Sequence, residues 1–369
     1  MSVQVVHLTS VHSRYDTRIF LKQCHSLEQA GYVVSLVVAD GNGDEVRDNI
    51  NIIDVGAPTG RLDRMFNVCR RVFEKAKQLD ADIYHFHDPE LMPVGLKLKK
   101  LSKRVIFDSH EDVPKQILYK QYLSKPSRWM ISQVISRYES WACRRFDVII
   151  AATPFIADKF RVINPETFDI NNFPILGELA YETINWPEKK HQVCFVGAIS
   201  AERGIVEIVD AMDIVSDNLQ LQLVGKFSEA PVEHRVKKLP GWSKVKQLGY
   251  LGRDAVRDVL NLSIAGLVTF YPLPNHIDAQ PNKMFEYMSA GVPVIGSNFP
   301  FWREIIEGNN CGVCVDPLAP EQIAKAIDFL NENPDKAEEM GVNGQRAVQE
   351  LYNWSVEEKK LLKLYQTLH

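Results

Sequence analysis

Short runs of aliphatic and aromatic residues recur along almost the whole chain and alternate with amphipathic stretches. The first set is Val3–Leu8, Val33–Val38, Ile83–Phe86, Arg104–Phe107 and Val148–Ala151. A polar, proline-containing stretch, Asn171–Lys190, interrupts it. The pattern restarts with Val193–Val196, Leu219–Val224, Lys244–Leu248, Ala265–Val268, Val292–Ile295 and Gly312–Val315, with helical periodicity near 203–213, 253–260, 282–290, 319–331 and 334–351. Strands that are apolar throughout are buried on both faces, and joining them through helices gives right-handed crossovers and parallel sheets. Two such sets predict an α/β chain of two doubly wound, Rossmann-like domains facing across a cleft, with boundaries at 1–180 and 181–353. The 369 residues suit two domains of ordinary size. The apolar runs are far shorter than the roughly 20 residues that span a bilayer.

Charge divides the chain unevenly. Residues 1–170 hold 24 Lys and Arg against 21 Asp and Glu, and the remainder 19 against 26. Several of the bases accompany apolar residues in Arg128-Trp129-Met130-Ile131, Val134, Ile135, Tyr138 and Trp141, ending at Arg144-Arg145. Two readings are open: an amphipathic helix on an anionic membrane surface, or an ordinary helix packed on a sheet with a solvated basic edge. Met1–Val5 lacks the basic and long apolar regions of a secretory signal, and six scattered cysteines fit a reducing cytoplasm. The expected location is therefore cytoplasmic, with peripheral contact at the inner membrane face as the open addition. Cys311-Gly312-Val313-Cys314 lies in a strand pattern and not at a helix start, so it carries no redox reading.

Open parallel sheets bind ligands beyond the carboxyl ends of their strands, so the loops there are where chemistry belongs. After the first strand, Thr9–Arg18 is polar and lacks the G-x-G-x-x-G of dinucleotide binders. Asp16 is either a helix cap or a ligand contact, and Arg14 and Arg18 have no evident structural duty. His85-Phe86-His87-Asp88-Pro89-Glu90 admits a metal reading, but Asp88-Pro89 with Glu90 is equally a helix start. Asp108-Ser109-His110-Glu111-Asp112 follows the next strand, and spacing alone leaves His110 open between site and loop. In the second set, Gly197 ends a strand and Arg203-Gly204 opens a helix, a natural clamp for a diphosphate, with Lys226 as a second cation. Asn282 can cap a helix that carries Lys283 in its first turn and Glu286 four residues on, stopped by Gly291. Cap and lysine suit a phosphate; Glu286 suits sugar hydroxyls beside it.

The stretch Pro281-Asn282-Lys283-Met284-Phe285-Glu286-Tyr287-Met288-Ser289-Ala290-Gly291-Val292-Pro293-Val294-Ile295 resembles the donor-binding signature of retaining GT-B glycosyltransferases of family 4 (group 1). Val196-Gly197 with Glu202-Arg203-Gly204, the His85–Glu90 segment, Asp108–Glu111 and the close from Tyr352-Asn353-Trp354 sit where that family has characteristic segments. The resemblance implies a GT-B fold whose last helix, 354–369, returns to the first domain. It implies Glu286 on the nucleotide ribose, His110 against the donor sugar and Tyr250 at the base. The first of the family's two glutamates falls on Asp278, one methylene shorter. Of the family's two usual diphosphate cations, one position is Ala198 and the other Arg203; apart from the resemblance, Lys226 or Lys283 is expected to supply the missing charge.

On this resemblance Asp278, His110 and Glu286 are the catalytic candidates. Gly197, Arg203, Gly204, Lys226, Tyr250, Asn282, Lys283 and Glu286 hold the donor. Arg14, Asp16 and His87 are the acceptor-side candidates. The expected activity is retaining transfer, without metal or cofactor, from a nucleotide-diphosphate sugar (UDP first) to a glycan or lipid-linked acceptor in bacterial surface-polysaccharide assembly. Nucleic acid is no expected partner. A sugar-nucleotide epimerase and a non-catalytic ligand-binding or scaffold protein are the competing readings.

Overall fold

The structure, a computed structural model, describes residues 2–119, 124–180 and 184–368. It divides into two compact units, Met1–Asn172 with Trp354–His369, and Phe173–Asn353. Residues 173–180 go with the second unit because Phe173 packs at 4.8 Å on Phe285 and 5.4 Å on Tyr352, and Leu179 is buried in the same core. The expected division at 180/181 abuts residues 181–183, which lie outside the described residues.

The first unit holds an eight-stranded sheet of β1 Gln4–Leu8, β2 Val33–Val38, β3 Glu45–Arg47, β4 Ile50–Asp54, β5 Ile83–Phe86, β6 Arg104–Ser109, β7 Val148–Ala151 and β8 Thr167–Asp169. Its order is β3-β4-β2-β1-β5-β6-β7-β8, parallel except for the β3–β4 pair. Alternation decides what each face meets. Val6, Leu8, Tyr84 and Phe86 enter one apolar core, while His7 and His85, in register across β1 and β5, point to the other face. That face receives the helix Trp354–Gln366, whose Tyr365 hydroxyl lies 2.8 Å from His85 Nδ1 and whose Trp354 Nε1 donates to Ser26 Oγ at 2.9 Å. The buried Glu357 accepts from the Asn171 amide at 2.8 Å, tying the helix to the end of the sheet segment.

The second unit holds six parallel strands, β9 Gln192–Val196, β10 Gln220–Val224, β11 Val245–Gly249, β12 Ala265–Val268, β13 Val294–Ser297 and β14 Gly312–Val315, in the order β11-β10-β9-β12-β13-β14. Val193 and Phe195 feed one core and Cys194 and Val196 the opposite one, so this sheet is covered on both faces. In each sheet the strand order turns back beside the first strand, at β1/β5 and at β9/β12. Those reversals are the topological switch points where a crevice for ligand forms.

Candidate active site

At the switch point of the second unit the loops after β9 and β12 meet. Gly204 has φ +77°, and a Cβ there would lie 2.0 Å from the Thr269 carbonyl oxygen. Only glycine permits that approach. Gly197 is required by its φ of +114° and not by space, since a Cβ there would make ordinary contacts of 3.5 Å with Lys283 Cε and 3.6 Å with Nζ. The Lys283 side chain is buried, and its ammonium lies 3.6 Å from the centroid of the Phe195 ring with no hydrogen-bond partner. Burial, with the nearby charge of Arg203, holds its pKa well below the ordinary lysine value.

Arg203 donates to the Ala198 carbonyl at 3.2 Å and stands 5.4 Å from the Phe270 ring, which Lys283 Nζ approaches to 5.5 Å. Burial lowers the Arg203 pKa as well. Neither cation forms a salt bridge with a described residue. Two basic groups, one buried and one half-buried, without a salt-bridge partner among the described residues stand beside backbone that only glycine can form, with Glu286 and Glu202 acting on them through space.

The helix that carries Lys283 is Asn282–Ser289. Its cap is Pro281, with no side-chain capping bond, so the expectation of Asn282 as N-cap is corrected: Asn282 is the first helical residue. Proline gives the extended φ of −67° and ψ of 125° that starts the helix without help from the amide side chain. Gly291, at φ +61°, follows the helix as expected. Tyr287 accepts the Val196 amide at 2.9 Å on its hydroxyl, and its ring would meet a Cβ on Gly266 at 2.3 Å. The helix is thereby locked to the end of β9 and to the body of β12. Asp278 closes the short helix Pro274–Ile277, and Trp302 Nε1 holds the following turn through the Ala279 carbonyl at 2.7 Å.

Glu286 accepts from Arg253 at 2.8 Å, and the same guanidinium reaches Glu178 at 2.7 Å. Arg253 and Glu178 are site residues that no sequence motif marks. The only local signal was a base opening a helix after Gly252, since the partners lie 33 and 75 positions away. Lys226 is exposed, 5.7 Å from the ring of the exposed Tyr250, and so stands apart from the buried cation position that Lys283 occupies.

In the first unit the strand-end loops are held by ion pairs. Arg14 is 7% exposed and binds Asp40 through Nε at 2.8 Å and Nη2 at 2.6 Å, and also the Gly43 carbonyl at 3.0 Å. Arg18 binds Asp108 at 2.9 and 2.8 Å. Both arginines therefore have the structural duty that the sequence did not reveal. Asp16 accepts the Arg18 and Ile19 amides at 2.9 Å each, which makes it a cap at the start of the helical segment Ile19–Cys24. His12 bridges Asp16 and Asp88 at 3.4 Å each. Burial opposes its charged form, but the bond to Asp16 and the neighbouring carboxylates outweigh burial and raise its pKa. Asp88 accepts from Thr9 Oγ1 at 2.8 Å and the Ser10 amide at 2.6 Å, while Pro89 opens the following turn as expected.

His87 is fully enclosed, an unexpected place for an acceptor contact. Its Nε2 lies 3.0 Å from His7 Nδ1 and its Nδ1 lies 3.3 Å from Asp108. His7, His85 and His87 bring ring nitrogens within 4.8 Å of one another, and His87, His110 and an Asp108 carboxylate oxygen form a second group within the same distance. Two features argue against a metal centre. The planes of His7 and His87 differ by 15° and those of His85 and His87 by 26°, so stacked rings aim their in-plane lone pairs past a common point. Asp108 already accepts three N–H groups from Arg18 and Gln23. The cluster is a neutral imidazole stack around one carboxylate: burial first, and then neighbouring rings, push His7 and His85 well below the ordinary histidine value and His87 down to about 3. His110, at the outer edge, keeps a partly exposed ring 3.3 Å from Asp108.

The fold is that of GT-B glycosyltransferases. It superposes on sucrose-phosphate synthase from Thermosynechococcus elongatus with a TM-score of 0.79 at 19% identity, covering 99% of both chains. It superposes on Anabaena HepE in complex with UDP and glucose with a TM-score of 0.76 at 15% identity, covering 99% of this chain and 100% of that one. Residues 180–347 match the family described as glycosyl transferases group 1, and residues 17–166 match glycosyltransferase family 4. The chain belongs to this group 1, family 4 class of glycosyltransferases. It is 25% identical over 310 residues to an uncharacterized glycosyltransferase of Methanocaldococcus jannaschii, covering 77% of this chain and 75% of the relative. It is 22% identical over 296 residues to a phosphatidyl-myo-inositol mannosyltransferase of Mycobacterium leprae, covering 78% and 74%. Among the described residues no helix is long and apolar enough to cross a membrane.

Proposed function

We propose that this glycosyltransferase is retaining and metal-independent, and moves a sugar from a nucleotide diphosphate, UDP first, to a glycan or lipid-linked acceptor in bacterial surface-polysaccharide assembly. The observation that carries the reading is the buried, unpartnered ammonium of Lys283 beside Gly197 and near Arg203. A desolvated cation is costly unless an anion completes it, and a diphosphate does so. UDP is favoured because HepE, which shares the fold, is described with UDP and glucose. A lipid-linked acceptor is favoured because the Mycobacterium leprae relative is named for phosphatidyl-myo-inositol.

The chemistry follows from charge. The bond between the sugar anomeric carbon and the diphosphate oxygen breaks, leaving an oxocarbenium-like sugar and a more negative leaving group. Lys283 and Arg203 are fixed before the reaction, so they stabilise that developing charge without reorganising, the work a divalent ion does elsewhere. The acceptor oxygen then bonds to the same face of the anomeric carbon, and its proton passes to the departing phosphate. Glu286 is assigned to the ribose and Tyr250 to the base; Asp278 and His110 are assigned to the donor sugar. The ion pair with Arg253 holds the Glu286 carboxylate in place.

Calorimetry with UDP, GDP and dTDP, followed by a donor panel with and without chelator, tests the reading. It expects one diphosphate to bind tightly and its sugar donor to release free nucleoside diphosphate whether or not metal is removed. An isomerised sugar nucleotide with no released diphosphate would instead identify an epimerase.

A further inference from the structure

The helix Lys125–Cys143 is turned the opposite way from an ordinary amphipathic helix. Its buried positions are Ser132, Glu139, Ala142 and Cys143. Five of its seven bulky apolar residues are exposed, Trp129 by 64%, Met130 58%, Val134 61%, Tyr138 38% and Trp141 46%, while Ile131 and Ile135 are half-buried. Met130, Val134, Tyr138 and Trp141 follow one another by four, four and three residues, so they form one stripe. The helix packs on the first unit through Ala142 and Cys143 with its bases solvated, and the aromatic stripe is left outside that contact.

Charge says what covers this stripe. Lys125, Arg137, Arg144 and Arg145 are all exposed, and none forms an ion pair with a described residue. The one acid of the helix, Glu139, is buried and paired with Lys159 at 2.5 Å. Arg145 stacks on Trp141, its guanidinium carbon 4.1 Å from the ring, and donates to the Trp141 carbonyl. Tyr138 and Trp141 stack at 5.9 Å. The exposed surface therefore combines aromatic rings with polar tips and cations, and presents no carboxylate. Headgroup-level anchoring uses these residue types, with aromatics at the acyl boundary and bases at lipid phosphates. A protein partner would leave these cations to be desolvated or matched one by one.

We propose that this face seats the protein peripherally on an anionic bilayer. As the partner of the acceptor-bearing unit it rests on the reading of a lipid-linked acceptor; as a binding surface it is measured without any sugar donor.

The test is cosedimentation of the full chain with vesicles of phosphatidylcholine alone or mixed with phosphatidylglycerol, at low and high salt. The wild-type protein is expected to bind the anionic vesicles, to release as salt rises, and to shift its tryptophan emission to the blue. A base near a charged surface contributes about fivefold in partition, so Arg144→Gln/Arg145→Gln is expected to weaken binding roughly 25-fold. Trp129→Ser/Trp141→Ser is expected to abolish the emission shift and the sedimentation. Because all four side chains are exposed, the melting temperature and nucleoside diphosphate affinity of these variants should stay at wild-type values. Equal sedimentation with neutral and anionic vesicles would overturn the proposal. So would conversion of a dimer to a monomer by the tryptophan pair, since a second copy would then be the occupant. Loss of diphosphate binding in the wild type with vesicle binding intact would sink the transferase reading alone.

Discussion

Replacing Lys283 by methionine separates function from stability in a way few substitutions do. The residue is 7% exposed, and its ammonium is buried, has no hydrogen-bond partner, and is depressed in pKa by burial and by Arg203. An unmatched buried polar group costs about 1–3 kcal/mol, and more when charged. Methionine is one atom shorter, keeps an apolar side chain in the pocket, and removes the amine together with its contact to the Phe195 ring. Lys283→Met should therefore stabilise the ligand-free second unit by about 2 kcal/mol, or roughly 4–8 °C for a unit of this size. The same change removes a charge-assisted bond to the diphosphate, worth about 1.5–3 kcal/mol, so affinity should fall roughly 10- to 150-fold. Differential scanning calorimetry and titration with UDP and with uridine measure the two effects. Above the depressed pKa, diphosphate binding should take up a proton, seen as a heat that varies with buffer ionisation enthalpy. A lowered melting temperature, or UDP affinity equal to wild type, would refute the reasoning.

Other outcomes follow from the same geometry. Arg203→Ala should weaken a nucleoside diphosphate more than a monophosphate in titration calorimetry; equal losses would count against the clamp. Asp278→Asn should lower turnover or sugar discrimination while sparing plain nucleotide affinity, and an unchanged steady-state profile would remove its assigned role. Stability should fall on acidification. His7 and His85 are held well below 6.5 and His87 near 3, so between about pH 6.5 and pH 3 the unfolded chain binds more protons than the folded one. Stability is full above that window and declines by up to roughly 1.4 kcal/mol per pH unit for each histidine within it. His12 acts in the opposite sense, its raised pKa adding stability below 6.5. Melting temperatures from pH 7.5 to pH 5 measure the balance, and a flat profile would show that the stack is not kept neutral.

The sheets were legible because their central strands are apolar on both faces; Val33–Val38, Ile83–Phe86, Val148–Ala151 and Ala265–Val268 end where the sequence ends them, as does the edge strand Gly312–Val315. The edge elements β3 and β8 carry three residues each, and β4 mixes Asn51 and Asp54 with its aliphatics, so no periodic signal announces them. The roles of Arg14, Arg18 and Glu286 were not legible, since their partners Asp40, Asp108 and Arg253 stand 26, 90 and 33 positions away. The glycines at 197, 204 and 291 were readable because strand ends and helix stops demand positive φ. Burial of Lys283 was invisible, because a lysine in a first helical turn is ordinarily solvated. The orientation of Lys125–Cys143 was open for a similar reason: periodicity locates a stripe without saying which side the sheet takes.

A structure of the protein with a nucleotide-diphosphate sugar bound measures the central claim most directly. The diphosphate oxygens should lie within hydrogen-bond distance of Lys283 Nζ and the Arg203 guanidinium, with ribose hydroxyls on Glu286. A diphosphate bound elsewhere, with Lys283 still enclosed and unpaired, would contradict it.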